Sequence, residues 1–401
     1  MGDRFELTMP ATINDVVILL GAKLIGLDSI LPVAMELKHE RPDIQIIFVI
    51  LSEKTRPDIA RNYVLGRGLE AVGKIIVLSR GDRKLSSRAR SIAVLAKLTA
   101  HLFVRPALLL SPGDLAKFPF WIWARAARMG GGRAMIYCKP AYPGNPALNF
   151  AQNTKIVGRD MRFKDPGDGF LIYHPTQAAD YHRYTTTAAT VVGTPRTMPA
   201  WRRHLDTLAD EGVFDIAGND LRRTNKPLLL VFYCGPAVIP IQTDDVRESF
   251  LNLVEVLADE APTTRIVVKP HPICDLELLS DDISRSSRPD ISISHAHPQL
   301  LAKFAAAAIS LNGSNVMNDM YVEGIPVIET TQYQADILKH GDSLYPNVGR
   351  IDASDNAALR RAIRSVVTAS SPGPKPDPDT IAWPMPVPLA ELLLGSDHHA
   401  V

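Results

Sequence analysis

The sequence predicts an α/β protein of two doubly wound domains facing a cleft, and three observations predict it. Short apolar runs, mostly rich in β-branched residues, recur without the polar alternation of a half-exposed sheet. Segments long enough for crossover helices separate them. The rhythm runs twice, on either side of a stretch near 200–225, and 401 residues are too many for one ordinary core.

In the first half the strands are "DVVILLG" (15–21), "IQIIFVIL" (44–51), "KIIVLSR" (74–80), "ALLLSPGD" (107–114) and "RAMIYC" (133–138). Helices are expected over 28–40, 55–71, 85–102 and 117–129. Asp28 or Ser29 precedes the first apolar helical run and suits its N-cap. The Pro-, Gly- and Asn-rich stretch from about 139 to 168 reads as loop. "GFLIYHP" (169–175) is a further strand, and "TVVGTPRTMPAWRRHL" (190–205) leads through a turn into a helix. The second alternation begins at "PLLLVFYCG" (227–235). It continues as helix 243–259, strands 265–269 and 290–294, helix 297–305, strand 307–313, helix 315–323, strand 325–331 and helix 356–369. Residues 371–385 read as irregular and 386–394 as a short helix. The expected division is an amino-terminal domain over 1–200, a connection over 201–225, a carboxyl-terminal domain over 226–370 and a Pro-rich linker and tail over 371–401.

The apolar fraction of 46% and charged fraction of 22% are those of a soluble globular protein. A net charge of +1 gives no basic surface for nucleic acid. Cys138, Cys234 and Cys274 make no C-x-x-C pair and no even set, which fits a reducing cytoplasm rather than a disulfide framework or zinc site. The first residues carry no secretory signal, and Glu6 stands where a myristoylation site needs Ser or Thr. No stretch approaches the roughly 20 apolar residues that span a bilayer.

Chemistry concentrates in the second half. In "RIVVKPHP" (265–272) a buried strand ends on a lysine and a histidine, each followed by proline. The prolines fix φ and extend the residue before them, so Lys269 and His271 are held stiffly at the carboxyl edge of a sheet, where α/β proteins bind ligands. In "SLNGSNVMNDMYVEGIPVIE" (310–329), Gly313 permits a tight turn and Ser314 or Asn315 caps the following helix. The free N–H groups of that helix suit a phosphate. Asp319 lies one turn further in, able to accept from two neighbouring ribose hydroxyls. Gly235 turns the chain after the first strand of this half, at the same edge.

The Lys-Pro-His-Pro segment, followed by Ser314-Asn315, Asp319 and Pro326, resembles the carboxyl-terminal domain of GT-B-fold transferases of bacterial surface polysaccharide synthesis. It is similar to the CDP-glycerol glycerophosphotransferases, the UDP-GlcNAc 2-epimerases and the capsule transferases that use CMP-Kdo. The resemblance covers mainly 225–335; Asn315 departs from a serine and Met320 from a tyrosine or alanine. It implies a GT-B-like fold of two Rossmann-like domains. It also implies that Lys269 and His271 contact the donor phosphate, that Ser314 and Asn315 hold phosphate oxygens and that Asp319 holds the ribose. Fixed cations then stabilise the leaving group without a metal. Asp244-Asp245 and Asp281-Asp282 are adjacent pairs, not Asp-x-Asp motifs.

The resemblance also implies that the amino-terminal domain binds the acceptor and supplies the general base. Asp28 is the candidate, with Ser29 beside it and Asp114 and His174 as rivals. His295 and His297 read as core or loop residues. In "KFPFWIWARAARMGGGR" (117–133) large aromatics lie among arginines, which suits either an anionic membrane surface or a core helix with a solvated edge. The expected function is transfer of a sugar from a CMP-, CDP- or UDP-linked donor to a surface glycan or lipid-linked acceptor, with no cofactor. A nucleotide-sugar 2-epimerase or hydrolase of the same fold, or a non-catalytic nucleotide-sugar-binding subunit, is the alternative.

Overall fold

The computed structural model describes residues 13–21, 24–53, 55–78, 85–138, 163–175, 177–178, 182, 185–223, 226–235, 245–272, 274–288, 290–311, 313–314, 316–333, 348–368, 383–385 and 387–394. The first sheet has seven strands: β1 (Asp15–Leu20), β2 (Gln45–Ile50), β3 (Lys74–Val77), β4 (Ala107–Ser111), β5 (Arg133–Tyr137), β6 (Phe170–Ile172) and β7 (Ala189–Val191). Their order is β3-β2-β1-β4-β5-β6-β7, and every pairing is parallel. All of β1 is buried because the sheet is covered on both faces. Val16, Ile18 and Leu20 face the core that includes α1 (Leu24–Glu40), α2 (Thr55–Arg61) and α3 (Tyr63–Val72). Val17 and Leu19 face the core that includes α4 (Leu85–Val104) and α5 (Phe120–Met129). The single helix expected over 55–71 is two. Asn62 interrupts it and caps α3, its side chain accepting from the Leu65 N–H at 3.4 Å.

The connection holds a 3₁₀ turn (Pro195–Thr197) and α6 (Pro199–Glu211), which packs on α1 and α3. Glu36 of α1 accepts from the Ala200 N–H at 2.7 Å, placing a carboxylate at the positive end of α6.

The second sheet comprises β8 (Leu228–Tyr233), β9 (Arg265–Pro270), β10 (Ser292–Ile293), β11 (Ala305–Ser310), β12 (Val327–Glu329) and β13 (Gly349–Arg350). Its order is β10-β9-β8-β11-β12-β13, again parallel. Around it lie α7 (Val246–Glu260), α8 (Leu276–Arg285), α9 (Pro298–Ala302), α10 (Val316–Val322) and α11 (Asn356–Thr368). Asp245 caps α7 and Asp282 is fixed by Arg247 at 2.7 Å, so these two carboxylates are structural; Asp244 lies outside the described residues. Strand β7, helix α8 and strand β13 are additions to the sequence expectation. A last helix, α12 (Leu389–Leu394), returns to the amino-terminal lobe. The N–H groups of Leu389 and Ala390 donate to the Glu40 carboxylate of α1 at 3.1 and 2.7 Å. Strand order reverses between β1 and β4 in one sheet and between β8 and β11 in the other. Those switch points mark where ligands enter such sheets.

Candidate functional site

Strand β9 delivers the first group. Lys269 is half-buried and His271 exposed. The His271 N–H donates to the Tyr233 carbonyl at 2.7 Å, so the ladder to β8 continues past Pro270. The His271 carbonyl then accepts from the Cys274 N–H at 2.9 Å and turns the chain into α8, whose cap is Asp275. Gly235, at φ +76°, brings the end of β8 against this turn: a Cβ there would lie 3.4 Å from the Cys274 sulfur.

Lys269, His271 and Cys274 line one side of a solvent-open cleft between the lobes. Lys269, His271 and His295 come from the carboxyl-terminal lobe, and Asp58 and Arg61 of α2 face them from the other. Arg61 is 54% exposed at its side chain, with Asp58 at 3.6 Å. Burial pushes the Lys269 ammonium down to about 8, and Asp28 offsets part of that fall. Burial, then the charges of Lys269 and Arg61, lowers His295 as well. The cleft wall thus sets two cations, Lys269 and Arg61, beside two imidazoles and the Asp58 carboxylate.

Deeper between the lobes lies a cluster that local sequence reasoning did not assemble. Arg196, in the 3₁₀ turn, is 3% exposed. Its Nη2 donates to Asp28 Oδ2 at 2.5 Å, and its Nη1 lies 3.0 Å from Asp319 Oδ2. His297 Nδ1 accepts from the Gln299 N–H at 3.2 Å, capping α9. That leaves the proton on Nε2, which donates to Asp28 Oδ1 at 2.7 Å. Burial keeps His297 neutral against the pull of Asp28, and Arg196, whose Nη1 is 2.9 Å from Nε2, adds to that. Gln299 bridges the Arg196 carbonyl, the Trp201 indole N–H and Glu323.

The expected site residues are placed as follows. Helix α1 begins at Leu24, so Asp28 is in its second turn and is not its cap. Burial would raise the Asp28 carboxyl, but Arg196 and then His297 outweigh it and hold it at about 2. A carboxylate so acidic is a weak proton acceptor at neutral pH. Asp28 is instead an interlobe strut. Its contribution to folding should be present above about pH 4 and lost as pH falls towards 2, a change of about 2 kcal/mol. Urea melts of wild type and Asp28→Asn across that window check this: the difference between them should shrink at the acid end.

Ser29 is fully buried and donates to the Ile25 carbonyl at 2.6 Å, so it faces core rather than acceptor. Asp114 staples a loop, accepting from the N–H groups of Ala116, Lys164 and Asp165 at 3.0 to 3.1 Å. His174 is buried with its ring edge-on to Trp383 at 5.5 Å and does not line the cleft. Gly313 and Ser314 are half-buried at the start of α10; Asn315 lies outside the described residues. Asp319 is fully buried against Arg196 and presents no face to a ribose in this arrangement. The functional residues sequence reasoning missed are Arg61, Arg196 and Gln299, and His295 and His297 were read only as core or loop. The one available signal for Arg196 was its seat between Pro195 and Pro199, a cation pinned by prolines as in the Lys269–Pro272 segment. Among the described residues, no group of three or more His, Cys, Asp or Glu side chains is arranged to hold a metal ion.

No protein-family model and no curated protein matches the chain. Solved structures do. The UDP co-structure of MnaA from S. aureus is 12% identical with a TM-score of 0.51, over 89% of this chain and 88% of that one. The glycotransferase of kitacinnamycin is 12% identical with a TM-score of 0.49, over 92% of each chain. Os79 from O. sativa, solved in complex with UDP, is 13% identical with a TM-score of 0.48, over 88% of this chain and 91% of that one. At such identities the likeness is one of fold. The chain has a GT-B-like fold, two Rossmann-like α/β lobes facing a cleft.

Proposed function

We propose that the protein is a glycosyltransferase that binds a nucleotide-activated sugar in the interlobe cleft and passes the sugar to a glycan or lipid-linked acceptor. The observation that carries this is the cleft wall itself: Lys269, His271 and His295 from one lobe and Arg61 from the other converge on one space. Departure of a nucleoside diphosphate or monophosphate puts charge on phosphate oxygens. Fixed protein cations in a half-buried wall stabilise that charge as it develops. The MnaA structure contains UDP, which makes a uridine nucleotide the first donor class to try. Lys269 and His271 take the phosphate role that the resemblance implies for them. His295, lowered into the neutral form beside them, is better placed than Asp28 to accept a proton.

Asp58 on the facing wall favours a second reading, a nucleotide-sugar epimerase or hydrolase, since such chemistry needs an acidic group near the sugar. An epimerase or hydrolase consumes donor without an acceptor; a transferase does not. Titration calorimetry with UDP, CMP, CDP and GDP in parallel tests the shared site. One nucleotide should bind clearly more tightly than the rest, and His271→Ala should weaken it about tenfold by removing one charge-assisted contact. Equal failure of all four in the wild type would remove the nucleotide-sugar reading.

A further inference from the structure

The outer face of the amino-terminal lobe carries a feature that the cleft chemistry does not use. Among the described residues, eleven large hydrophobic side chains are exposed, and six of them lie on α4, α5 and the turn leading into α5. They are Ile92, Phe103, Val104, Phe118, Trp121 and Met129. Val104 is 74% exposed and Met129 64%. The two helices pack side by side, and their carboxyl ends touch. A Cβ on Gly130 would fall 2.3 Å from the Leu102 carbonyl oxygen and 3.0 Å from that of Phe103. Phe103 and Val104 therefore sit beside Met129 in one patch. The inner faces are already spent on the core: Leu98, Leu102, Trp123, Ala124 and Ala127 pack on the sheet. The outer apolar stripe is surplus to folding.

The two helices themselves carry charge of one sign. Neither α4 nor α5 contains an aspartate or glutamate. Lys97, Lys117 and Arg125 are exposed around the stripe. Arg105 and Arg128 are left out of that set because Asp15 engages the first and Asp165 and Asp168 the second. Exposed aromatic and aliphatic side chains bordered by cations match a lipid surface with anionic headgroups, which takes the apolar groups at its acyl boundary and the cations above it. A second copy of the chain suits the face less well. An isologous dimer would set the same three cations against themselves. The patch also lies on the sheet face opposite α1, so seating it leaves the cleft at the sheet edge open.

We infer that the α4–α5 face of the amino-terminal lobe seats the protein on an anionic lipid bilayer. No helix among the described residues is long and apolar enough to cross a membrane, so the attachment is peripheral. This inference does not depend on the cleft's chemistry.

Co-sedimentation of the full chain with vesicles tests it. Vesicles of phosphatidylcholine with about a third phosphatidylglycerol should retain the protein, and phosphatidylcholine alone should retain about tenfold less. Raising the salt from about 0.05 to about 0.5 M should release it. Two variants dissect the face. Phe103→Ser/Trp121→Ser removes apolar contact, and Lys97→Glu/Arg125→Glu reverses charge. Each should lower the bound fraction about tenfold with the circular dichroism spectrum unchanged. No retention on the anionic vesicles, or retention that survives both variants, overturns the proposal. So does a dimer in light scattering that Phe103→Ser/Trp121→Ser dissociates while vesicle binding is absent.

Discussion

Arg196→Leu is expected to destabilise the fold by about 3–5 kcal/mol, the range found when one partner of a buried ion pair is removed. The guanidinium stands between carboxylates from two lobes: Asp28 on α1 and Asp319 on α10. Asp28 is 19% exposed at its side chain and can recover water when the arginine goes. Asp319 is fully buried and cannot. It must take a proton, or the interface must open to hydrate it, and either outcome lowers stability. The double variant Arg196→Leu/Asp319→Leu removes the stranded charge with the cation and fills the space. It should recover about half of the loss, the sign of coupling expected within one network. Urea unfolding of the wild type, both single variants and the double variant reads this directly. A loss below about 1 kcal/mol for Arg196→Leu would mean that the cluster is already hydrated and does not hold the lobes. The same four proteins also report on the cleft. Asp28 supports the charge of Lys269, so loosening Arg196 should reach the cleft wall as well as the melt.

What could be read from the sequence divides along the distance over which the deciding contacts act. Apolar runs named six of the seven strands of the first sheet and five of the six in the second, because a parallel strand buried on both faces writes its burial into consecutive residues; β7, only partly buried over three residues, was read as a lead-in to a turn. The sheet-edge position of Lys269 and His271 was legible for a related reason: the prolines act on their immediate neighbours. Helix α8 escaped although its own signal was present, since Asp275 before Leu-Glu-Leu-Leu is a cap followed by an apolar face. Strand β13, at Gly349–Arg350, has too little apolar sequence to register. The buried cluster is a different case. Arg196 meets Asp28 across 168 positions and His297 meets Asp28 across 269. No periodicity or spacing rule spans such separations. Asp28 therefore looked like a helix cap, and Asp319 looked like a cleft residue because its own helix suggests nothing about a cation arriving from the connection.

Lys269→Met is expected to do two opposite things, and the pairing separates a binding residue from a structural one. Burial pushes the lysine from an ordinary 10.5 down to about 8, so holding it charged at neutral pH works against folding. Between about pH 8 and about 10.5 the unfolded chain holds this proton while the folded chain does not, so stability should rise with pH through that window. Methionine keeps length and apolar contact without the charge. It should therefore stabilise the protein near pH 7 by about 1–2 kcal/mol and flatten that limb. Nucleotide binding should move the other way. Loss of one charge-assisted contact to phosphate is worth about 2–3 kcal/mol, or about 30- to 150-fold in Kd. In the wild type, affinity for the preferred nucleotide should hold below about pH 8 and weaken above it as the free protein loses the proton; in Lys269→Met that dependence should vanish. His271, exposed at the same edge, gives the contrast: alanine there should weaken binding with little effect on the melt. A Lys269→Met protein that melts no higher than wild type and binds nucleotide unchanged would place the phosphate elsewhere. The converging side chains of the cleft wall would then be a product of packing between the lobes.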